Sequence, residues 1–327
     1  MNQLNNLTKL VLSKKGKLAL GVVMSLGVMF LGVLYLPWIL WDLQASPGKC
    51  FEVEVKTPLK IREECSNIED DTELEDQLDR EWDEFQGKDE SNMDFEERHI
   101  HKNYSKNDVK DMVLSLNKFR RKLCTYRSSV ATITRYNAKC GKDVVIPKKI
   151  KGSEVVGIGD EAFRDKGLLS VKMPNTILIV GENAFNKNEL TSVMFSDQLM
   201  LIEGSAFASN NLESISLPSQ LLGIGDSAFS NNMLKKVILP DSVMDIWKYA
   251  FSKNEISNIR IPRYLRTLEK GVFYQNKLER LAIPSTISMI KKDAFVKNDI
   301  KKVQLPEDIN TDADEGFDKG VAIEITD

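Results

Sequence analysis

The stretch Ile224-Gly225-Asp226-Ser227-Ala228-Phe229-Ser230-Asn231-Asn232-Met233-Leu234-Lys235-Lys236-Val237-Ile238-Leu239-Pro240-Asp241-Ser242-Val243-Met244-Asp245-Ile246 decides the fold, because its pattern recurs. Phenylalanine returns every 22 residues, at Phe163, Phe185, Phe207, Phe229, Phe251, Phe273, Phe295 and Phe317. Five residues after each of the first seven stands Leu or Ile, as in Leu212 and Leu234. Eight and ten after stand further apolar residues, such as Val237 and Leu239, and Pro usually follows, as in Pro240. Fourteen and seventeen after come Val243 and Ile246 and their counterparts. A fixed period of this size marks a repeat array, in which each unit is one coil of a solenoid.

Each position has a physical reading. Apolar residues at eight and ten alternate as in a short strand, with the residue between them facing out. Proline ends that strand by removing a ladder donor. The spacings from fourteen to twenty-two suit a short helix or 3₁₀ turn returning to the next coil. One coil buries too little apolar surface to stand alone, so stacked coils share a core with Phe above Phe. Asn recurs three residues after Phe, at Asn188, Asn210, Asn232, Asn254, Asn276 and Asn298. Asn tolerates a left-handed backbone and bonds neighbouring backbone groups, so the column reads as a turn-forming ladder rather than a ligand row.

The pattern Ile-Gly-x-x-Ala-Phe, followed by Asn-x-Leu-x-x-Val-x-Leu-Pro-x-x-Ile-x-x-Ile, resembles the BspA-like leucine-rich-repeat family. Residues 224–246 carry it in one unit, and Ala131-Thr132-Ile133-Thr134-Arg135-Tyr136, with Val144-Val145-Ile146-Pro147 and Ile158-Gly159, resemble the family's opening coil. The resemblance covers residues 130–327. It implies a leucine-rich-repeat solenoid, β-rich with short helical or 3₁₀ returns, and roles in attachment and protein binding rather than catalysis.

Residues 18–41 carry no charge and are long enough, as a helix, to cross a bilayer. Lys9, Lys14, Lys15 and Lys17 precede them and Asp42 follows. The positive-inside rule places a cytoplasmic tail at 1–17, a transmembrane helix at 18–41 and the rest in the periplasm or outside the cell. A cleaved signal peptide would have a shorter apolar core. Outside the expected membrane span the chain divides into a short Cys-bounded segment (42–65), an acidic linker (66–100), a helical lead-in (101–129) and the solenoid (130–327).

Four cysteines, Cys50, Cys65, Cys124 and Cys140, precede the repeats. An oxidising compartment favours disulfides, and four cysteines allow three pairings. Pairing of neighbours, Cys50 with Cys65 and Cys124 with Cys140, is the simplest.

Charge is segregated. Residues 66–98 hold fifteen acids against three bases, and residues 99–151 reverse the sign. Val109, Met112, Val113, Leu116, Phe119 and Leu123 have helical spacing. Within the repeats, residues 152–232 carry ten acids and four bases, and residues 233–304 carry seven acids and fifteen bases. Outward strand positions drift from Ser170, Ser192 and Ser214 to Lys236, Arg260, Arg280 and Lys302, with Lys235 and Lys301 beside them. These six cations form a candidate stripe for an acidic protein or a polyanionic glycan. The acidic linker could itself fold back onto them. Aromatic residues are not interleaved for base stacking, and nucleic acid is not an expected partner.

The residues offer no catalytic or cofactor motif: no P-loop, nucleophile elbow or dinucleotide fingerprint. His99 and His101, near Glu96 and Glu97, lack the converging ligands of a metal site. Asp308, Asn310, Asp312 and Asp314 resemble the start of a calcium loop, but Ala313 and Lys319 stand where Gly and Glu are needed. They align instead with the last coil, Asp312 taking the usual Ile position. The expectation is a membrane-anchored, non-enzymatic recognition protein with no cofactor and no metal, adhesion being the role the resemblance implies. The alternative is a structural or assembly factor of a bacterial envelope machine.

Overall fold

The computed structural model describes residues 50–56 and 129–326, apart from 308 and 312, together with the isolated positions Asn107 and Leu114. The expected membrane span, the acidic linker, the 109–123 segment apart from Leu114, Cys65, Cys124, His99 and His101 lie outside the described residues. Among the described residues no helix is long and apolar enough to cross a membrane. Residues 48–56 join 128–327 in one compact unit.

That unit is a solenoid of parallel coils with three sides. The first side carries the expected strands, including Ser170–Lys172, Ser192–Met194, Ser214–Ser216 and Lys236–Ile238. Their middle residues Val171, Ile215 and Val237 are buried, and the flanking ones point out. Register is kept at 22 residues, with Ser214 beside Lys236 and Val171 beside Val193. No strand pairing joins 192–194 to 214–216. There Phe195 takes the place of an aliphatic residue and Ser196 that of proline, and the Phe195 ring wedges edge-on against Phe207 and Phe229.

The second side corrects the expected helical return. Residues sixteen and seventeen after Phe form a second column of two-residue parallel strands, among them Ile179–Val180, Leu201–Ile202, Gly223–Ile224 and Asp245–Ile246. The third side, around Phe, is a turn. Ala206 N–H bonds Glu203 O and Ala208 N–H bonds Ser205 O, which are single three-residue closures. A helix cannot propagate from them. The N–H groups of Ser205, Phe207 and Ser209 donate forward to the next coil, at Asp226, Ala228 and Ser230. Residues two before and two after Phe are also left-handed, as at Ser205 (φ 54°) and Ser209 (φ 57°), which interrupts right-handed helix.

The phenylalanine column is the spine of the core. Successive rings from Phe163 to Phe317 stack with centroids 4.7–5.7 Å apart. From Phe185 to Phe317 the step is 5.2–5.7 Å, longer than the ~4.8 Å that strand pairing imposes. The preceding alanines Ala184, Ala206, Ala228 and Ala250 are fully buried, leaving room for the rings.

The asparagine column is a buried ladder, but its residues are not left-handed. Left-handed backbone falls one position earlier, at Lys187, Ser209, Asn231 and Lys253. Asn210 Oδ1 accepts from Leu190 N–H (3.0 Å), while its Nδ2 donates to the carbonyls of Phe185 (3.0 Å) and Phe207 (3.1 Å). Asn188, Asn232, Asn254, Asn276 and Asn298 repeat the arrangement.

Strand β1 (Phe51–Lys56) pairs antiparallel with β2 (Val130–Tyr136) and closes the first end of the solenoid. Phe51 and Tyr136 extend the spine by two rings, with Tyr136 5.0 Å from Phe163 and Phe51 5.4 Å from Tyr136. Cys50 is bonded to Cys140. This overturns the neighbour pairing, because β1 carries Cys50 along the edge of β2 to the turn that holds Cys140. At the other end, Ile290 pairs with Thr311, and the short helix Ala313–Gly316 precedes Phe317.

Candidate functional site

The outward positions of the first side make the best-defined surface. Seven residues after Phe stand Ser170, Ser192, Ser214, Lys236, Asn258, Arg280 and Lys302. Nine after stand Lys172, Met194, Ser216, Ile238, Arg260, Ala282 and Gln304, with Val145 at the head of the column. Alternation across the strand pushes both columns to the same face.

The structure divides the six expected cations into two sets. Lys235 is held by Glu213 at 3.0 Å, Arg260 by Asp241 at 2.8 Å and Lys302 by Glu324 at 2.7 Å. The hydrogen bond to Glu213 raises the Lys235 ammonium above its ordinary range, and the bond to Arg260 lowers the Asp241 carboxyl. Lys236, Arg280 and Lys301 have no ion-pair partner among the described residues, and all three are exposed. Lys236 and Arg280 lie on the strand face itself, and Lys301 is one residue off it. Half the charge of the expected stripe is answered within the molecule.

Sequence reasoning missed the apolar component of this face. Val145 is 68% exposed, Met194 57% and Ile238 60%. They recur at every second coil of one column, with Lys172 and Ser216 between them. The 22-residue register was enough to find them, had the ninth position been read as a column. Exposed apolar side chains of this size are unfavourable in water and mark contact surfaces when they cluster.

A second electrostatic feature lies on the third side. Glu203 stands between Gly181 and Gly225 of the adjoining coils. Burial, then the nearby Asp160 and Glu182 charges, push its carboxyl up to about 7. Among the described residues no group of acidic, His or Cys side chains is arranged to hold a metal ion.

A family model for BspA-type leucine-rich-repeat regions, in six copies, matches residues 136–255 and 201–323, more than half of the chain. Among solved structures, a leucine-rich-repeat protein from Bacteroides ovatus is 23% identical over 55% of this chain and 56% of its own, with a TM-score of 0.46. The T. pallidum leucine-rich-repeat protein is 30% identical over 51% of this chain and 80% of its own, TM-score 0.45. The pneumococcal vaccine antigen PcpA is 21% identical over 60% of this chain and 65% of its own, TM-score 0.41. The chain thus spans little more than half the length of the first of these proteins. No curated protein matches it.

Proposed function

This chain belongs to the BspA-type leucine-rich-repeat family, and from that membership we propose a membrane-anchored recognition protein, adhesion-like in action, whose strand face binds an acidic protein. Proteins built from leucine-rich repeats are generally non-enzymatic scaffolds for protein binding. The anchor is the uncharged segment 18–41, with the N-terminus cytoplasmic and the repeats periplasmic or extracellular. One observation carries the choice of partner: the free cations Lys236 and Arg280 share a face with the exposed Met194 and Ile238. Cations alone would serve a polyanionic glycan equally well. Aliphatic side chains gain most from apolar side chains, which a polypeptide supplies, whereas a polyanionic glycan offers only the narrow C–H face of each ring between charged groups.

The test is selection of displayed peptides on the full chain in detergent micelles. Selected peptides should be rich in Asp and Glu with interspersed apolar residues. Reversal of Lys236, Arg280 and Lys301 to Glu should weaken them by roughly a hundredfold, and Met194→Ser with Ile238→Ser by roughly tenfold. Peptides indifferent to both sets of changes would place recognition elsewhere. Binding of heparin that ignores Met194 and Ile238, with no peptide selected, would favour the glycan. Protease treatment of intact cells separates the two compartments, since only an extracellular array is clipped.

A further inference from the structure

The third side of the coils carries a groove of about 900 Å³. It runs beside the spine from Ser209 to Lys297, across five successive coils. Its walls are the two columns of left-handed residues, two before and two after each Phe. It does not involve the strand face and stands apart from the acidic-protein reading.

Two tyrosines on neighbouring coils line it, Tyr249 and Tyr274. Tyr249 lies over Gly271, the one glycine in its column. A Cβ at Gly271 would come within 2.1 Å of the Tyr249 ring. Gly271 also has φ +61°, but six other residues of that column adopt the same conformation without being glycine. The glycine is thus explained by the ring laid across it, and less by the backbone. The Lys297 ammonium stands 5.0 Å over the Tyr274 ring.

Around these rings stand hydrogen-bonding side chains turned to solvent. Among the described residues Lys253, Gln275 and Asp293 have no side-chain partner. Together they offer donors, acceptors and a group that does both. Asn231 is tied to Ser209 at 3.2 Å, which fixes the far wall.

We propose that this groove binds an extended oligosaccharide of pyranose units. A pyranose presents an apolar C–H face, which packs on an aromatic ring, and a rim of hydroxyls that donate and accept. Tyr249 supplies a flat ring braced by Gly271, and Lys253, Gln275 and Asp293 supply the polar rim. The buried phenylalanine rings behind the groove step 5.4–5.7 Å from coil to coil, close to the length of one sugar unit in an extended chain, so successive units meet successive coils. Two lysines against one aspartate are too few cations for a nucleic-acid backbone. Val296 is the one aliphatic residue of the lining, too little for an apolar peptide.

The experiment is calorimetric titration of the full chain, in a detergent without a sugar headgroup, with cello-, chito-, manno- and malto-hexaose. At least one should bind saturably. Tyr249→Ala and Tyr274→Ala should each weaken it by roughly tenfold, the worth of one aromatic contact. Tyr249→Phe and Tyr274→Phe keep the ring and should stay within about threefold, which separates loss of the platform from loss of the fold. Gly271→Ala should act like Tyr249→Ala. Reversal of Lys236 and Arg280 should leave sugar binding unchanged. Failure of all four hexaoses to bind would overturn the proposal, as would alanine variants that bind like the parent or phenylalanine variants that lose as much as alanine. None of these failures touches the strand-face reading, whose own test uses peptides.

Discussion

Asn232 reaches across a coil boundary to Phe207: its Nδ2 donates to the Phe207 carbonyl, 2.9 Å away and 25 residues earlier in the chain. The same amide donates to Phe229 O at 3.1 Å, and its Oδ1 accepts from Leu212 N–H at 3.1 Å. One buried side chain thus satisfies three backbone groups on two coils. Asn232→Ala strands the Leu212 N–H, while the Phe207 and Phe229 carbonyls keep one donor each, from Asn210 and Asn254; the cost should be about 1–3 kcal/mol, that of one orphaned buried group. Asn211→Ala, at an exposed position in the preceding coil, should stay within about 0.5 kcal/mol. Urea midpoints of the two variants make the comparison. Equal shifts would mean that the ladder adds nothing beyond a polar surface.

The inward columns were legible in the sequence because a 22-residue period leaves each core position one solution. Phe229 must stack on Phe207, and Val237 must lie between Ile215 and Ile259. The back strand was misread for an identifiable reason. Leu178, Met200, Leu222 and Met244 stand fifteen residues after Phe and are buried, yet they lie outside the main core cluster. The inward residues at fourteen, seventeen and twenty-two are three and five apart, which imitates a helix face, and the apolar column at fifteen went unread. Two-residue strands are also too short to show alternation. The disulfide partner of Cys50 depended on a long-range antiparallel pairing, of which local spacing keeps no trace. The ion pairs Lys235–Glu213 and Lys277–Glu255, by contrast, lie 22 residues apart and could have been read from the period.

The disulfide ties the cap strand to the first coil, with a Cα–Cα distance of 5.7 Å and 90 residues between the cysteines. Replacing Cys50 and Cys140 together by Ser should destabilise the protein by about 2–4 kcal/mol, mainly by freeing the unfolded chain. Hydrogen exchange should quicken first at Val130–Tyr136, the strand that β1 covers. Peptide mapping under non-reducing conditions should recover the Cys50 and Cys140 peptides linked. A Cys124–Cys140 link would contradict the cap as described.

Phe229 is fully buried, between Phe207 at 5.4 Å and Phe251 at 5.5 Å. Phe229→Ala opens a cavity in mid-spine and should cost about 3–5 kcal/mol, whereas Phe229→Leu should cost less because most of the volume remains. Coils contact only their neighbours, so the damage should stay local. Amide protection should fall around residues 207–251 and persist near Phe163. A uniform loss of protection along the array would show it to be more cooperative than nearest-neighbour stacking implies.

Glu203 gives the solenoid a pH dependence of predictable sign. Its carboxyl is raised from 4.5 to about 7, first by burial and then by Asp160 and Glu182, and Asp160 is itself raised mainly by burial. A raised carboxyl binds its proton more tightly in the folded protein than in the unfolded chain. The stability this gives is fully present below pH 4.5 and is lost as pH rises through about 7. Glu203→Gln removes the buried charge while keeping the shape. At pH 8 the variant should be more stable than the parent by on the order of 2 kcal/mol, and at pH 4 the two should be equal. Thermal midpoints at the two pH values read the difference directly. A gain of the same size at both would trace the effect to packing between Gly181 and Gly225, since an ionisation effect must vanish where the unfolded carboxyl is also protonated.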